Sequence, residues 1–175
     1  NAVRPSHNPF STAFLDAWRA REQKAGRSGK AEWKPVPWSR ISEELKLAVV
    51  VGEDIDFFSH DGFATAEMKK AIAEAWEEKE LPRGASTITQ QLAKNLWLSP
   101  SRNPVRKLKE ALLTRQLERH LSKRRILELY LNKVYFGAGL YGAEAAARGY
   151  FGKHAADLTV AEGAMLAGLV KAPSN

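Results

Sequence analysis

A narrow apolar stripe, Ile88, Leu92 and Leu96, threads the otherwise polar run from Gly84 to Asn95, which reads GASTITQQLAKN. Apolar residues four apart fall on one face of an α-helix, and Ser86, Thr87 and Thr89 are the residue types that start one. A helix with its N-terminus at Ser86 is therefore expected. The stripe leaves Gln90, Gln91, Lys94 and Asn95 unexplained. Helical spacing sets them beside it as a donor-rich face suited to phosphate and sugar oxygens.

The same period recurs along the chain. Residues 1–40, with Pro5, Pro9, Gly26, Gly29, Pro35 and Pro37, read as a short helix around Thr12 to Lys24 and an irregular basic connector. Ser42 can cap a helix that carries Glu43 and Glu44 in its first turn, buries Leu45, Ala48 and Val49, and runs to Glu53. Met68, Ile72, Ala75 and Trp76 mark another, ended by the turn Leu81 to Gly84. Val105, Leu108, Leu112 and Leu117 mark a longer one. Ser122 caps a helix containing Ile126, Leu127, Tyr130 and Leu131, which leads into Gly137, Gly139 and Gly142. Thr159 and Glu162 have capping-box spacing before a last helix that stops at Pro173.

With 175 residues, 44% apolar and 27% charged, the chain suffices for one sizeable core. Its longest apolar run, Leu47 to Val51, is far short of the roughly 20 residues that span a bilayer. Because residue 1 is Asn rather than Met, residues 1–40 are read as following a membrane anchor upstream. Residues 41–175 are read as the domain proper, with its C-terminal end cut short. The absence of cysteine excludes disulfides and thiolate metal sites. A net charge of +7 and a pI near 9.7 call for an anionic partner: nucleic acid, a phospholipid surface or a phosphorylated substrate. The basic residues from Arg102 to Arg125 alternate with leucines as on a solvated helix face, without a helix-turn-helix, zinc-finger or aromatic RNA-binding signature. Nucleic acid is not an expected partner.

Two carboxylates stand out. Glu53 lies between the apolar run Leu47 to Val51 and the cluster Phe57, Phe58 and His60, surroundings that can hold a carboxyl group ready for acid or base chemistry. The plainer alternative is that Glu53 or Asp54 caps a turn and pairs with a cation. Glu110 follows Arg106 by four residues and Lys107 by three, a spacing that taken alone favours an intrahelical salt bridge over a site.

The order of these motifs carries a resemblance. Glu53 to Gly62, EDIDFFSHDG, resembles the EDxxFxxHxG motif of the family 51 peptidoglycan glycosyltransferases. Gly84 to Asn95 resembles that family's GxSTITQQxxKN, and Arg106 to Glu110 its RKxxE. Lys123 to Gly142 is similar to its KxxILExYLNxxYFGxxxYG, and the closing LAGLVKAPS to its fifth segment. The resemblance runs from about Trp33 to the C-terminus. Ala64 stands where the family usually has an acidic residue. The segments Asn8 to Phe14 and Trp33 to Trp38 look more like the monofunctional members than the bifunctional ones.

The resemblance implies a mainly α, lysozyme-like helical domain with a small jaw lobe flanking a long groove. The implied substrate is lipid II, joined to a growing glycan chain by β1,4 bonds with release of undecaprenyl diphosphate. Matched by motif, Glu53 is the general base that takes the proton of the acceptor 4-hydroxyl. Lys94, Arg102, Arg106 and Lys107 are candidates for a diphosphate clamp, which Glu110 orients, or Glu110 binds a divalent ion. Ser86, Gln90, Gln91 and Asn95 are assigned to substrate contacts, and Arg124, Glu128 and Asn132 are candidates to reach the groove. Ile126, Leu127, Tyr130 and Leu131 are read as core, and His60 as a structural residue. No cofactor is obligatory, with Mg or Mn as the candidate ion. The implied location is the bacterial inner membrane with the domain on its outer face, against an anionic membrane surface. Two other classes fit the residues less well. A hydrolase of finished glycan has no use for the cationic, amide-rich helix from Ser86, and a noncatalytic basic module has none for Glu53 in its apolar setting.

Overall fold

The computed structural model describes residues 20, 22–24, 26, 31–63, 86–98 and 104–171, with side chains from 109 onward in the last stretch. Several expectations lie outside them: most of the helix around Thr12, the helix of Met68 and Trp76 with its closing turn, and Arg102. So do the side chains of Val105, Arg106, Lys107 and Leu108.

The domain is mainly helical. Its helices are α1 (Glu43–Glu53), α2 (Ile88–Trp97), α3 (Pro104–His120), α4 (Lys123–Leu131), α5 (Ala143–Phe151) and α6 (Val160–Lys171), with short 3-10 turns at Trp38–Arg40 and Ala155–Asp157. Two short strands, β1 (Glu32–Trp33) and β2 (Leu140–Tyr141), pair in parallel, with Glu32 opposite Leu140 and Trp33 opposite Tyr141. The expected caps form at three starts. The Ser42 hydroxyl accepts from Leu45 N at 3.2 Å, the Ser122 hydroxyl from Arg125 N at 3.3 Å, and Thr159 and Glu162 close a capping box before α6.

Two expectations change. The cap of α2 is Thr87 rather than Ser86: its hydroxyl accepts from Gln90 N at 3.2 Å, and the Gln90 side chain returns to Thr87 N at 3.0 Å. A cap at Ser86 would put Thr89 at the third helical position, where its side chain is too short to close the box. On α3, Leu112 is 60% exposed, while Glu110, Thr114 and Leu117 turn inward, followed by Leu121. The reason is angular. Leu112 and Leu117 are five residues apart, about 140° around a helix, whereas 110, 114, 117 and 121 share one face.

α1 packs along α6, and α2 against α3 and α4, around a core that includes Leu45, Phe57, Ile88, Leu92, Ile126, Tyr130 and Leu166. The close approach of α1 and α6 needs Gly163, where a Cβ would stand 3.0 Å from Leu45 N. Residues 31–40 of the expected connector are stitched onto the helical domain. Beyond the β1–β2 pairing, Trp33 Nε1 donates to Asn132 O at 2.7 Å, and Trp38 N to Glu128 Oε1 at 3.2 Å. The Asn132 side chain accepts from Val36 N at 2.8 Å and donates to Val36 O at 2.9 Å, as a neighbouring strand would.

Candidate active site

Glu53 is the last residue of α1, and its carboxylate meets α2 and α4. Gln91 Nε2 donates to Glu53 Oε2 at 2.8 Å and also reaches Ser86 O at 3.3 Å. The Tyr130 hydroxyl donates to Gln91 Oε1 at 2.9 Å. This chain assigns the amide: a carboxylate only accepts, so the NH2 must face Glu53 and the carbonyl oxygen Tyr130. Tyr130 is fully buried, and burial foremost, then the charges of Glu53 and Asp54, raise its phenol well above the usual value. It therefore stays protonated and keeps donating. The other oxygen of Glu53, Oε1, is buried and receives no hydrogen bond among the described residues.

Asp54 is the structural partner of this pair. It is 4% exposed, and its Oδ2 accepts from Ile88 N, the first amide of α2, at 3.0 Å. An anion at that helix start satisfies an orphan donor and meets the positive end of the dipole. His60 Nε2 lies 2.8 Å from Asp54 Oδ1, while Gly62 N donates to His60 Nδ1 at 3.0 Å. A backbone N–H can only donate, so Nδ1 accepts and the hydrogen sits on Nε2, facing Asp54. The Thr87 hydroxyl donates to Gly62 O at 2.7 Å and ties the same loop to α2. The segment after α1 is thus locked to the start of α2, which sets Glu53 against Gln91.

The remaining candidates separate. Gln91, Lys94 and Asn95 share one half-buried flank of α2 that leads away from Glu53. Gln90, expected as a substrate contact, is instead 4% exposed and engaged in the capping box. Ser86 precedes the cap and meets Gln91 through its carbonyl. Arg124 and Glu128 on α4 and Asn132, its C-cap, spaced four apart, face the 31–38 segment rather than Glu53. The Arg124 guanidinium stands 5.1 Å from the Trp38 ring centre, and both ends of the Asn132 amide are engaged by Val36. Tyr130, about 200° around the helix from Glu128, is the α4 residue that reaches the Glu53 side, through Gln91. Glu110, weighed as a surface ion-pair partner, is 2% exposed. Among the described residues no three His, Cys, Asp or Glu side chains come close enough to hold a metal. The helical spacing of Tyr130 marks it as core, and nothing in that spacing tells a buried ring with a bonded hydroxyl from one without.

Comparison with known proteins agrees with these motifs. The family model described as Transglycosylase matches residues 21–175. The chain is 46% identical over 167 residues to the biosynthetic peptidoglycan transglycosylase of Methylobacillus flagellatus, covering 95% of this chain and 73% of that protein. It is 47% identical over 167 residues to the same-named protein of Thiobacillus denitrificans, covering 95% and 72%. To that of Neisseria gonorrhoeae it is 43% identical over 165 residues, covering 94% and 71%.

Proposed function

The chain belongs to the transglycosylase family, and from that premise we propose that its Glu53 group performs glycosyl transfer from a lipid diphosphate donor. The domain is a lysozyme-like peptidoglycan glycosyltransferase, an enzyme of glycan-chain polymerisation in cell-wall synthesis that acts at the cell envelope. Among the described residues no helix is long and apolar enough to cross a membrane.

The observation that carries the proposal is the asymmetry of the Glu53 carboxylate: one oxygen held by Gln91, the other buried and free of donors among the described residues. A carboxylate fixed at Oε2 presents Oε1 as a base in a set direction. The acceptor's 4-hydroxyl gives its proton to Oε1 while its oxygen forms a bond to the donor's anomeric carbon. The bond from that carbon to the phosphate oxygen breaks, and the diphosphate leaves with the electron pair. Attack from the face opposite the leaving group turns an α linkage into a β1,4 linkage. A diphosphate needs charge neutralisation more than a proton, and Lys94, on the same flank as Gln91, is suited to supply it together with Arg102, Arg106 and Lys107. Lipid II and the growing glycan chain are the two substrates joined. The site faces the outer side of the inner membrane, whose anionic surface attracts a chain of net charge +7.

Glu53→Gln tests this reading. The amide keeps the bond to Gln91 and the shape of the side chain but presents a donor or a poor base where Oε1 stood. Turnover of labelled lipid II into glycan should fall by about 10² to 10⁴, with the fold intact by circular dichroism. Near wild-type turnover would remove Glu53 from the chemistry.

A further inference from the structure

At the opposite end of α1 from Glu53, the 34–40 segment, α5 and the Ala155–Asp157 turn enclose a cavity of about 140 Å³ whose polar lining is Lys34, Arg40, Glu144, Arg148 and His154. Ser42 N donates to Ala155 O at 2.9 Å, which fixes this place beside the start of α1. Ten residues of helix at about 1.5 Å each set it roughly 15 Å from Glu53 along the helix, so it is a separate place from the catalytic group.

Glu144 organises the floor. It is 2% exposed, and its Oε1 accepts from Arg148 Nε at 2.7 Å and from His154 Nδ1 at 2.9 Å, while Oε2 accepts from Ala155 N at 2.9 Å. Burial alone would raise this carboxyl, but the hydrogen bonds from Ala155, Arg148 and His154 outweigh it and hold the group below its ordinary value. Glu144 is therefore an anion that grips Arg148 by Nε and orients its guanidinium. The Arg148 Nη2 lies 3.2 Å from His154 Nδ1. A ring nitrogen that donates to Glu144 cannot also accept from the guanidinium, so the terminal nitrogens of Arg148 keep donor capacity. Lys34 and Arg40, both exposed, bring two further positive charges from the other wall. Three permanent cations thus share the cavity with one carboxylate, an excess of two that the internal bonds do not neutralise.

We propose that this cavity is an oxyanion site that takes a phosphate or diphosphate group. A guanidinium held by its Nε and flanked by two exposed cations matches the geometry of a phosphate's oxygens. The volume is well under the roughly 300 Å³ at which sites for whole drug-sized molecules begin, so it suits one charged group whose remainder extends outward. Free inorganic phosphate or diphosphate and the headgroup of an anionic phospholipid carry the same chemistry.

The test titrates the intact protein with inorganic diphosphate and follows the His154 imidazole signals by NMR, identified as those lost in His154→Gln. It then measures sedimentation with vesicles containing phosphatidylglycerol. The Lys34→Gln/Arg40→Gln variant should weaken the binding at least about tenfold, since each removes a charge-assisted contact. Arg119→Gln, a charge lost from the exposed end of α3, should have little effect, and Glu53→Gln none. A Lys34/Arg40-dependent shift with diphosphate identifies a soluble anion, and dependence seen only with vesicles identifies the headgroup; both support the site. Unmoved His154 signals together with vesicle binding indifferent to Lys34 and Arg40 would overturn it, as would equal weakening by Arg119→Gln. Because Glu53→Gln abolishes polymerisation and not this binding, failure here leaves the catalytic reading standing.

Discussion

Tyr130→Phe isolates the link that aims the catalytic carboxylate. The ring stays in its fully buried place, so no cavity forms, and what is lost is the 2.9 Å bond to Gln91 Oε1. The net cost of one such bond is about 1 kcal/mol, rising toward 2 to 3 kcal/mol because a buried carbonyl oxygen is left unsatisfied. For a domain of this size each kcal/mol lowers the melting temperature by about 2 to 4 °C. The larger effect is on rate. Without its partner the Gln91 amide is free to rotate, and Glu53 loses the donor at Oε2 that sets the direction of Oε1. A displacement of about 1 Å at a reacting group costs on the order of 10²-fold. The kcat for labelled lipid II should fall about 10- to 100-fold with KM little changed. Gln91→Ala should fall at least as far, and the double variant no further than Gln91→Ala alone, since Tyr130 acts through Gln91. Rates and urea melts of all four proteins complete the cycle. Additive losses in rate, or a Tyr130→Phe protein destabilised yet fully active, would refute the positioning role.

Three further outcomes follow from the same structure. Glu110→Gln removes a buried carboxylate; a purely structural role costs about 1 to 3 kcal/mol of stability with kcat unchanged. The diphosphate reading requires a fall in turnover of at least about tenfold, roughly 1.4 kcal/mol. Burial lowers the Lys133 ammonium from 10.5 to about 7, so the unfolded chain binds more protons between those values. Its share of stability is complete above the unfolded value and lost as pH falls toward 7. The melting temperature should therefore climb from pH 7 to 9, and Lys133→Met should flatten the climb; an unchanged slope assigns it elsewhere. Gly142 has φ +84°, and a Cβ there would stand 2.7 Å from the Asn132 carbonyl oxygen, so Gly142→Ala should cost at least about 2 kcal/mol in urea unfolding. A smaller shift would mean that the loop from Asn132 to Gly142 yields.

What depends on neighbours along the chain was already legible in the order of residues. Hydroxyl caps at Ser42, Ser122 and Thr159 and the four-residue stripe of Ile88, Leu92 and Leu96 are local signals, and each produces the helix it indicates. The ordered motifs around Glu53 and from Gly84 to Asn95 marked the family for the same reason, since chemistry at a fixed spacing is written in one dimension. Which of those polar residues meet depends on how the helices pack in three dimensions. Gln90 and Gln91 are adjacent and alike in sequence, yet one closes a capping box and the other holds Glu53, because successive helical residues point about 100° apart. Asn132 and Tyr130 lie two residues apart on or just after α4, and one grips Val36 while the other reaches Gln91. The partners concerned are 96 and 39 residues distant. Such a pairing is fixed by how α2, α4 and the 31–38 segment pack, a choice made by the shape of the shared core and invisible to any window of sequence.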